Sequence, residues 1–361
     1  MENLLDPAIL FFVFGMLAGC VKSNLEIPQP IARFLSLYLL MALGLKGGFA
    51  LAESGLTRDV AASLGSAVGL AVLVPLLGWF ILRRWLPPFD AVAVAATYGS
   101  VSAVTFITAV QVLEERGVPT GGHMAAAMAL MESPAIIMAV LMANVLRAQG
   151  LRTAGGVPAG LVVGTSAAAS GAAVLSAGGP GGVGVGPGWT SPTGHPGGVP
   201  LKRVLHESFT DGAQLLLLGA MAVGLITGES GAAAMKPFTG DLFKGLLAFF
   251  LLDMGLTTAR HFSAIRDLPK ALVAWGLAAP VMHASLALAL AWALRLPVGD
   301  AALLMVLGAS ASYIAVPAVL RQAIPEARPA LYFGLSLGIT FPFNILFGIP
   351  LILQAAQFTL G

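Results

Sequence analysis

Two groups of small and hydroxyl-bearing residues lie within apolar segments, where exposed polar groups are costly. They are Gly99, Ser100, Ser102 and Thr105 in one segment, and Ser310 and Ser312 in another. Glycine and serine inside such a segment favour a break in a helix, and a break presents free N–H groups and the positive end of a helix dipole. We therefore predict that these residues bind a small anion with several oxygen atoms. The alternative is that they only let neighbouring helices pack closely.

Two acidic residues within the apolar segments form a second group of candidates. Glu132 precedes Pro134 in one segment, and Asp253 lies in the middle of another. A charge there costs at least about 2.5–3.5 kcal/mol on insertion scales, so such residues usually pair with a partner or mark an ion path. We predict that Glu132 and Asp253 bind a cation or exchange a proton. For Asp253, the alternative is a protonated, hydrogen-bonded carboxyl.

Other polar residues have simpler structural interpretations. We expect Lys46 to extend its amine toward the membrane surface and His283 to be a hydrogen-bonded residue of the core. Asp90 and Asp300 stand where helices begin, so they are expected to act as N-terminal caps. The charged run at residues 114–116 is expected to be solvated surface.

The overall composition indicates the class of protein that holds these residues. Of 361 residues, 57% are hydrophobic and only 10% are charged, with a mean hydropathy of +0.89. A soluble domain carries roughly 25% charged residues, so we predict an all-α polytopic membrane protein. A net charge of +2 without a basic tract excludes a nucleic-acid surface, and a single cysteine excludes an internal disulfide. Because no nucleophile–base motif occurs, we expect neither an enzyme nor an organic cofactor.

Apolar runs of about 20 residues predict the spans, since a helix of that length crosses about 30 Å of hydrocarbon. Ten runs qualify, of which the first and the sixth are short: residues 7–21, 31–52, 60–82, 91–113, 124–146, 212–228, 242–259, 271–294, 301–320 and 330–358. The glycine-rich residues between the fifth and sixth runs predict a flexible linker. The predicted domains are a first half at 1–149, the linker at 150–203 and a second half at 204–361.

The two halves share short motifs in the same order. Leu-Pro-x-x-Asp-Ala at residues 86–91 recurs at residues 296–301, and the same offset of 210 residues aligns the two serine groups. Gly44 and Gly255 align at an offset of 211. Because each half has five helices, which is an odd number, the second half enters the membrane in the opposite orientation. Inverted repeats with broken helices at their interface are typical of secondary transporters, so we predict this architecture.

Loop charges predict the orientation in the membrane. When loops are assigned alternately to the two sides, thirteen Lys and Arg residues fall on one side and five on the other. The positive-inside rule then places the linker in the cytoplasm and both termini outside, in the inner (plasma) membrane of a cell.

Several of these motifs together resemble one family. The residues are Gly44-Leu-Lys-Gly-Gly48, Gly99-Ser-Val-Ser-Ala-Val-Thr105, Glu132-Ser-Pro134 and Ala279-Pro-Val-Met-His283. In this order and spacing, the chain resembles the sodium-dependent bicarbonate transporter family, the SbtA-type permeases, over nearly all of both halves. The resemblance implies ten transmembrane helices in two inverted repeats, with a core domain that moves against a gate domain in an elevator motion. It also implies a homotrimer that imports bicarbonate together with Na⁺.

The resemblance also implies where the ligands bind. It places the anion where the fourth and ninth segments cross, at the two serine groups, and Na⁺ near Ser102, Glu132 and Ser312. Glu132 stands where the family has Asp, whereas the family's Asp in the ninth segment is replaced here by Tyr313. We include Tyr313 in the anion site because it keeps a hydroxyl, and Asp253 is a candidate for the missing charge.

The lost carboxylate keeps other functions open. One alternative is a symporter for another small oxyanion or carboxylate, or one coupled to protons. A passive channel and a membrane sensor that binds its ligand without transporting it are further alternatives. The family's central segment associates with a PII-like regulator, but here that segment is glycine-rich, so we do not expect this partner.

Overall fold

The computed structural model describes residues 6–55, 57–154, 212–262 and 268–361. Within these ranges the regular secondary structure is helical, as predicted. The helices are α1 (Pro7–Cys20), α2 (Gln29–Ser54), α3 (Arg58–Leu82), α4 (Pro88–Gly99), α5 (Ala103–Glu115), α6 (His123–Ala154), α7 (Gly212–Thr239), α8 (Asp241–Arg260), α9 (Lys270–Leu294), α10 (Val298–Ala309), α11 (Ala315–Ala323) and α12 (Pro329–Leu360). Two π-helical turns, Ser336–Thr340 and Asn344–Gly348, lie within α12.

Eight helices of the described ranges are long and apolar enough to cross a membrane. They correspond to the second to eighth and the tenth predicted spans, and α4 with α5 counts as one of them. The first and ninth predicted spans correspond to the shorter helices Pro7–Cys20 and Val298–Ala309, so the number of ten stays a prediction.

The sixth predicted span differs from the structure in length. The apolar run ends at Gly228, where the backbone leaves the helical conformation (φ 53°, ψ −138°), but α7 resumes and reaches Thr239. Glycine adopts a positive φ at little steric cost, so the chain bends here without ending the helix. The helix α6 continues to Ala154, five residues past the predicted end of the first half. The rest of the predicted linker lies outside the described residues.

Four helices, α1, α2, α7 and α8, pack as two close pairs, which we call the four-helix layer. In the α1–α8 pair, a methyl group added to Gly15 would collide with the backbone of α8, and one added to Gly255 would collide with the carbonyl oxygen of Phe12. The α2–α7 pair is built in the same way, since Gly48 and Gly224 face each other across it. Because glycine lacks a Cβ, the backbones come into direct contact, which is typical of helix packing inside membranes.

The other helices, α3–α6 and α9–α12, form what we call the crossing bundle. Its two central helices are covered on all sides: α4 is buried from Asp90 to Gly99, and α10 from Gly299 to Ala309. The helix α3 packs against α4, and α9 packs against α10. This burial explains why both segments are continuously apolar instead of amphipathic.

Asp90 and Asp300 are not helix caps, which corrects the prediction. A proline occupies each cap position, and both aspartates are buried in the first turn of their helices. The Asp90 carboxylate accepts hydrogen bonds from the backbone N–H (2.7 Å) and Nε (2.9 Å) of Arg328. The Asp300 carboxylate accepts one from the N–H of Gly121 (2.6 Å). Each aspartate therefore holds the loop before the last helix of the opposite half of the chain.

Candidate functional site

The site is built around two interruptions of helical structure at the predicted serine groups. The first lies between α4 and α5, where Ser100 is extended (φ −102°, ψ 179°). The second lies between α10 and α11, where Ser310 is extended (φ −82°, ψ 166°). Serine side chains compete for backbone hydrogen bonds, and this competition favours interruption of a helix at these positions.

Direct hydrogen bonds join the two interruptions. The backbone N–H of Ser102 donates to the Oγ of Ser310 (3.1 Å), and the N–H of Ser312 donates to the carbonyl oxygen of Thr97 (2.9 Å). The Ser310 hydroxyl in turn donates to the carbonyl oxygen of Leu307 (2.9 Å). The structure thus brings the two predicted serine groups together at one crossing, although they lie about 210 residues apart in sequence.

Each interruption is followed by a helix that a serine caps. The Oγ of Ser102 accepts from the N–H (3.2 Å) and the hydroxyl (3.0 Å) of Thr105 at the start of α5. The Oγ of Ser312 accepts from the N–H of Val316 (3.3 Å) at the start of α11. The predicted hydroxyl residues are all buried: Ser100, Ser102, Thr105, Ser310 and Ser312. Two helix N-termini therefore begin next to each other inside the bundle.

The crossing has the chemistry of a site for a small oxyanion. Residues 97–105 and 307–316 carry no charge. The Ser100 hydroxyl is fully buried and has no hydrogen-bond partner within the described part of the chain. Gly99 has a packing role, because a side chain there would collide with the ring of Pro75 in α3. Hydroxyls and helix N-termini of this kind stabilise an anion without a cationic side chain.

Tyr313 lies at the edge of the crossing that faces the four-helix layer. Its ring packs edge-to-face on Phe341 of α12, with ring centroids 5.2 Å apart. Phe341 packs in the same manner on Phe12 of α1, at 5.4 Å. The Tyr313 hydroxyl is buried and has no hydrogen-bond partner within the described residues.

The two acidic candidates lie on different groups of helices. Asp253 is half-buried on α8, a helix of the four-helix layer. Glu132 is half-buried on α6, next to the buried Ser133. The helix α6 packs against α4, α10 and α11, which are three of the helices that flank the interruptions.

The sequence reasoning missed Asn344. Its side-chain nitrogen donates to the carbonyl oxygen of Ala309 (2.8 Å), the last residue of α10, and the side chain is buried. Its Oδ1 lies against Gly348, within one of the π turns of α12. The sequence did contain a signal, which was a single asparagine in a long apolar segment. Because a buried amide requires a polar partner, this asparagine indicated a hydrogen bond to another helix.

His283 is buried as predicted, but the predicted hydrogen bond is absent. Neither ring nitrogen has a partner within the described residues. The ring instead packs against Tyr98 and Trp275, with centroids 6.1 Å away in both cases. The Tyr98 hydroxyl hydrogen-bonds the Thr340 hydroxyl (2.6 Å), so this aromatic cluster anchors the end of α4 next to the crossing.

The charged run at the end of α5 is exposed, as predicted, and its two glutamates also form ion pairs. Lys46 of α2 binds the carboxylate of Glu114 (2.8 Å) instead of extending alone toward the membrane surface. Lys244 of α8 lies 3.4 Å from the carboxylate of Glu115. The Asp6 carboxyl, which caps α1, forms a hydrogen-bonding pair with Glu115. We call these five residues the α5 clasp, because they tie the end of α5 to three helices of the four-helix layer.

The α5 clasp predicts a pH dependence of stability. Burial raises the pKa of the Asp6 carboxyl, and the neighbouring Glu115 raises it further. The N–H groups of Ile9 and Ala8 lower this pKa, but the net change is an increase. A raised pKa in the folded state means that the protonated form stabilises the fold and that this contribution is lost as the pH rises through the pKa. Asn caps a helix as well as Asp does, so Asp6→Asn is expected to raise Tm by about 1–2 °C at neutral pH.

This difference is expected to shrink as the pH falls through the raised pKa of Asp6, because the wild type then becomes protonated. Thermal unfolding of both proteins from about pH 4 to pH 8 measures it. Glu229→Gln, at an exposed position on α7, is the control for a general effect of removing an acid. A Tm difference between Asp6→Asn and the wild type that stays constant from about pH 4 to pH 8 would show that the titration of Asp6 does not affect stability.

Within the described residues, eight helices of membrane-spanning length and the buried crossing of two interrupted segments indicate a multi-pass membrane protein. The sequence matches the Na⁺-dependent bicarbonate transporter superfamily over residues 7–357, nearly the entire chain. The chain belongs to this family, which confirms the resemblance found from its motifs. Membership implies a Na⁺-dependent transporter of bicarbonate and points away from an enzyme. No individually curated protein matches the chain.

Proposed function

We propose that the protein is a secondary-active symporter that imports bicarbonate together with Na⁺ by an elevator-type movement. The observation that carries the proposal is the pair of hydrogen bonds, Ser102 to Ser310 and Ser312 to Thr97, which joins two helix interruptions inside the bundle. Membership of a family of Na⁺-dependent bicarbonate transporters supports the choice of anion and cation.

In this proposal bicarbonate binds at the crossing. The helix starts at α5 and α11 stabilise its negative charge, and hydroxyl groups hold its oxygen atoms. The residues of the proposed anion site are Gly99, Ser100, Ser102, Thr105, Ser310, Ser312 and Tyr313. Among them, Ser100 has a buried hydroxyl without a partner in the described residues, so it is the first candidate for a direct ligand. Gly99 contributes by letting α3 approach.

The proposed movement separates the two groups of helices. The four-helix layer acts as the gate and the crossing bundle as the core, each built from both halves of an inverted repeat. The reciprocal contacts of Asp90 and Asp300 support the repeat, and so do the matched positions of Gly44 and Gly255 at helix interfaces of the layer. We further propose a homotrimer in the inner (plasma) membrane, with both termini outside and the linker in the cytoplasm.

Na⁺ is proposed to bind near the same crossing. Glu132 on α6, with the hydroxyls of Ser102 and Ser312, offers the oxygen atoms that hard cations prefer. A cation bound before the anion lowers the cost of bringing a second negative charge into a buried site.

One observation favours a second candidate function. The crossing carries Tyr313 where a carboxylate is expected for this family, and this difference favours coupling to protons or transport of another small oxyanion. A passive channel and a ligand-binding sensor also stay as alternatives.

Uptake of radiolabelled bicarbonate into proteoliposomes tests the proposal. An inward Na⁺ gradient is expected to stimulate uptake by the wild type about tenfold, which corresponds to a coupling free energy of about 1.4 kcal/mol. Tyr313→Asp is expected to retain this stimulation. If only the variant responds to Na⁺, the wild type uses another cation or cargo. If neither folded protein takes up bicarbonate, the assignment of this anion is wrong.

A further inference from the structure

Three buried polar residues follow one another along α12 at intervals of four residues, which is close to one helical turn. They are Ser336, Thr340 and Asn344. Thr340 ends the first π turn of α12, and Asn344 begins the second. Single π turns inside an α-helix are frequent at functional sites. Thr340 and Asn344 also bond to other helices of the crossing bundle, so their contacts bear on the site.

Thr340 joins α12 to α9 and to the end of α4. Its hydroxyl donates to the carbonyl oxygen of Gly276 in α9 (2.8 Å). That carbonyl has no N–H to bind one turn later in α9, because Pro280 stands there. A hydroxyl has one proton, so Thr340 accepts the hydrogen bond that joins it to the Tyr98 hydroxyl (2.6 Å). Thr340 therefore fixes Tyr98, one residue before the end of α4.

Asn344 joins α12 to the end of α10. Its side-chain nitrogen donates to the carbonyl oxygen of Ala309 (2.8 Å), the last residue of α10. The last carbonyl groups of a helix have no partner within that helix, so they need one from outside. The extended Ser310 follows directly. Asn344 thus satisfies a carbonyl group that the second interruption leaves free, and it fixes the end of α10.

Both anchored helix ends adjoin the hydrogen bonds that join the two interruptions. One bond runs from the N–H of Ser312 to the carbonyl oxygen of Thr97, which precedes the anchored Tyr98. The other runs from the N–H of Ser102 to the Oγ of Ser310, which follows the anchored end of α10. In each bond the acceptor therefore lies next to a residue that α12 holds.

We propose that Thr340 and Asn344 are positioning residues that hold the two interrupted segments in register for the anion. Thr340 acts through the end of α4, and Asn344 acts through the end of α10. Binding groups that are fixed in advance lose less freedom when a ligand binds, so this arrangement raises the affinity for the anion. All of these helices belong to the crossing bundle, so the contacts persist during the proposed movement. The inference rests on the proposed function and assigns the residues that shape its anion site.

Uptake of bicarbonate into proteoliposomes tests the effect on affinity. Thr340→Val removes the hydroxyl at nearly the same shape, and Asn344→Leu removes the amide at a similar size. Each is expected to raise the KM for bicarbonate about threefold to tenfold, with little change in the maximal rate per folded protein. A role in folding alone would instead lower the maximal rate and leave KM unchanged.

Two further variants separate the contacts of Thr340. Tyr98→Phe removes only the bond to α4 and leaves the bond to Gly276 in place, so it is expected to raise KM as Thr340→Val does. Thr340→Ser keeps the hydroxyl and is expected to recover most of the affinity that Thr340→Val loses. A rise of KM in Thr340→Val that Tyr98→Phe does not share would overturn positioning through α4.

Hydrogen exchange of backbone amides tests the inference without substrate. Exchange in the detergent-purified protein, followed by mass spectrometry, reports how often a hydrogen bond opens. Thr340→Val is expected to speed exchange about threefold to tenfold in the peptide that contains Ser312, and Asn344→Leu in the peptide that contains Ser102. Each variant thus loosens the N–H of the opposite interruption, because that N–H bonds to the helix end that has been released.

Ser336→Ala is the matched control. Ser336 lies on α12 one turn before Thr340, and its hydroxyl donates to the carbonyl oxygen of Tyr332 in the same helix (2.7 Å). This variant is expected to change neither KM nor exchange at the crossing. Should Asn344→Leu not fold, Thr340→Val and Tyr98→Phe remain as a test from both sides of one hydrogen bond.

The results distinguish failure of the inference from failure of the proposed function. Unchanged KM and unchanged exchange in folded Thr340→Val and Asn344→Leu would overturn the inference and leave the proposed function intact. Faster exchange of equal size in both peptides, in Ser336→Ala as well, would also overturn it. If the wild type takes up no bicarbonate, the proposed function fails, and the exchange pattern alone then decides whether the two residues position the crossing.

Discussion

Replacement of Ser102 by alanine is expected to reduce bicarbonate uptake at limiting substrate by about one to two orders of magnitude. The Ser102 hydroxyl caps α5 through Thr105, and its own N–H is held by Ser310. Loss of an N-cap costs about 0.5–2 kcal/mol, and loss of a hydrogen bond to a charged ligand costs about 1.5–3 kcal/mol. Because about 1.4 kcal/mol corresponds to a factor of ten, either loss alone produces a measurable defect.

Initial rates of uptake over a range of bicarbonate concentrations measure this effect. The change is expected mainly in KM, since the alanine removes a ligand and loosens the helix start that faces the anion. Ser285→Ala is the matched control, because Ser285 is exposed on α9 and its hydroxyl bonds only to the carbonyl of Val281 (2.8 Å) among the described residues. A folded Ser102→Ala protein with an unchanged KM would place the anion elsewhere.

Gly255→Ala is expected to destabilise the protein strongly, whereas Gly245→Ala on the same helix is expected to be neutral or slightly stabilising. A methyl group at Gly255 would collide with the carbonyl oxygen of Phe12, and the backbone of α1 must move to admit it. Overpacking of this kind typically costs about 1–3 kcal/mol. At Gly245 nothing lies within 4 Å, and alanine favours the helix by up to about 1 kcal/mol.

The midpoint of thermal unfolding in detergent and the yield of monodisperse protein compare the two variants. Because both substitutions are the same and both lie on α8, general effects of alanine on helix stability cancel between them. Gly15→Ala, on the other side of the interface, is expected to resemble Gly255→Ala. Equal midpoints for Gly245→Ala and Gly255→Ala would mean that α1 and α8 pack less closely than described.

The sequence alone determined the class of protein and the places where helices break. Composition and hydropathy require a membrane protein because so few charged residues cannot cover a globule in water. The interruptions at Ser100 and Ser310 were predictable because Gly and Ser act on the backbone of their own segment. Motif order over both halves was also sufficient to identify the family, which the match over residues 7–357 confirms.

Which polar groups meet depends on the tertiary structure. Asp90 contacts Arg328, and Glu114 contacts Lys46, although 238 and 68 residues respectively separate these partners in sequence. Local patterns therefore suggested a helix cap for Asp90 and solvated surface for Glu114, but they could not identify the partner of either residue. The same limit applies to Ser102 and Ser310, whose hydrogen bond joins positions 208 residues apart in sequence. A side chain's local sequence determines the helix on which it lies, but its partner is determined by the packing of helices from both halves of the chain.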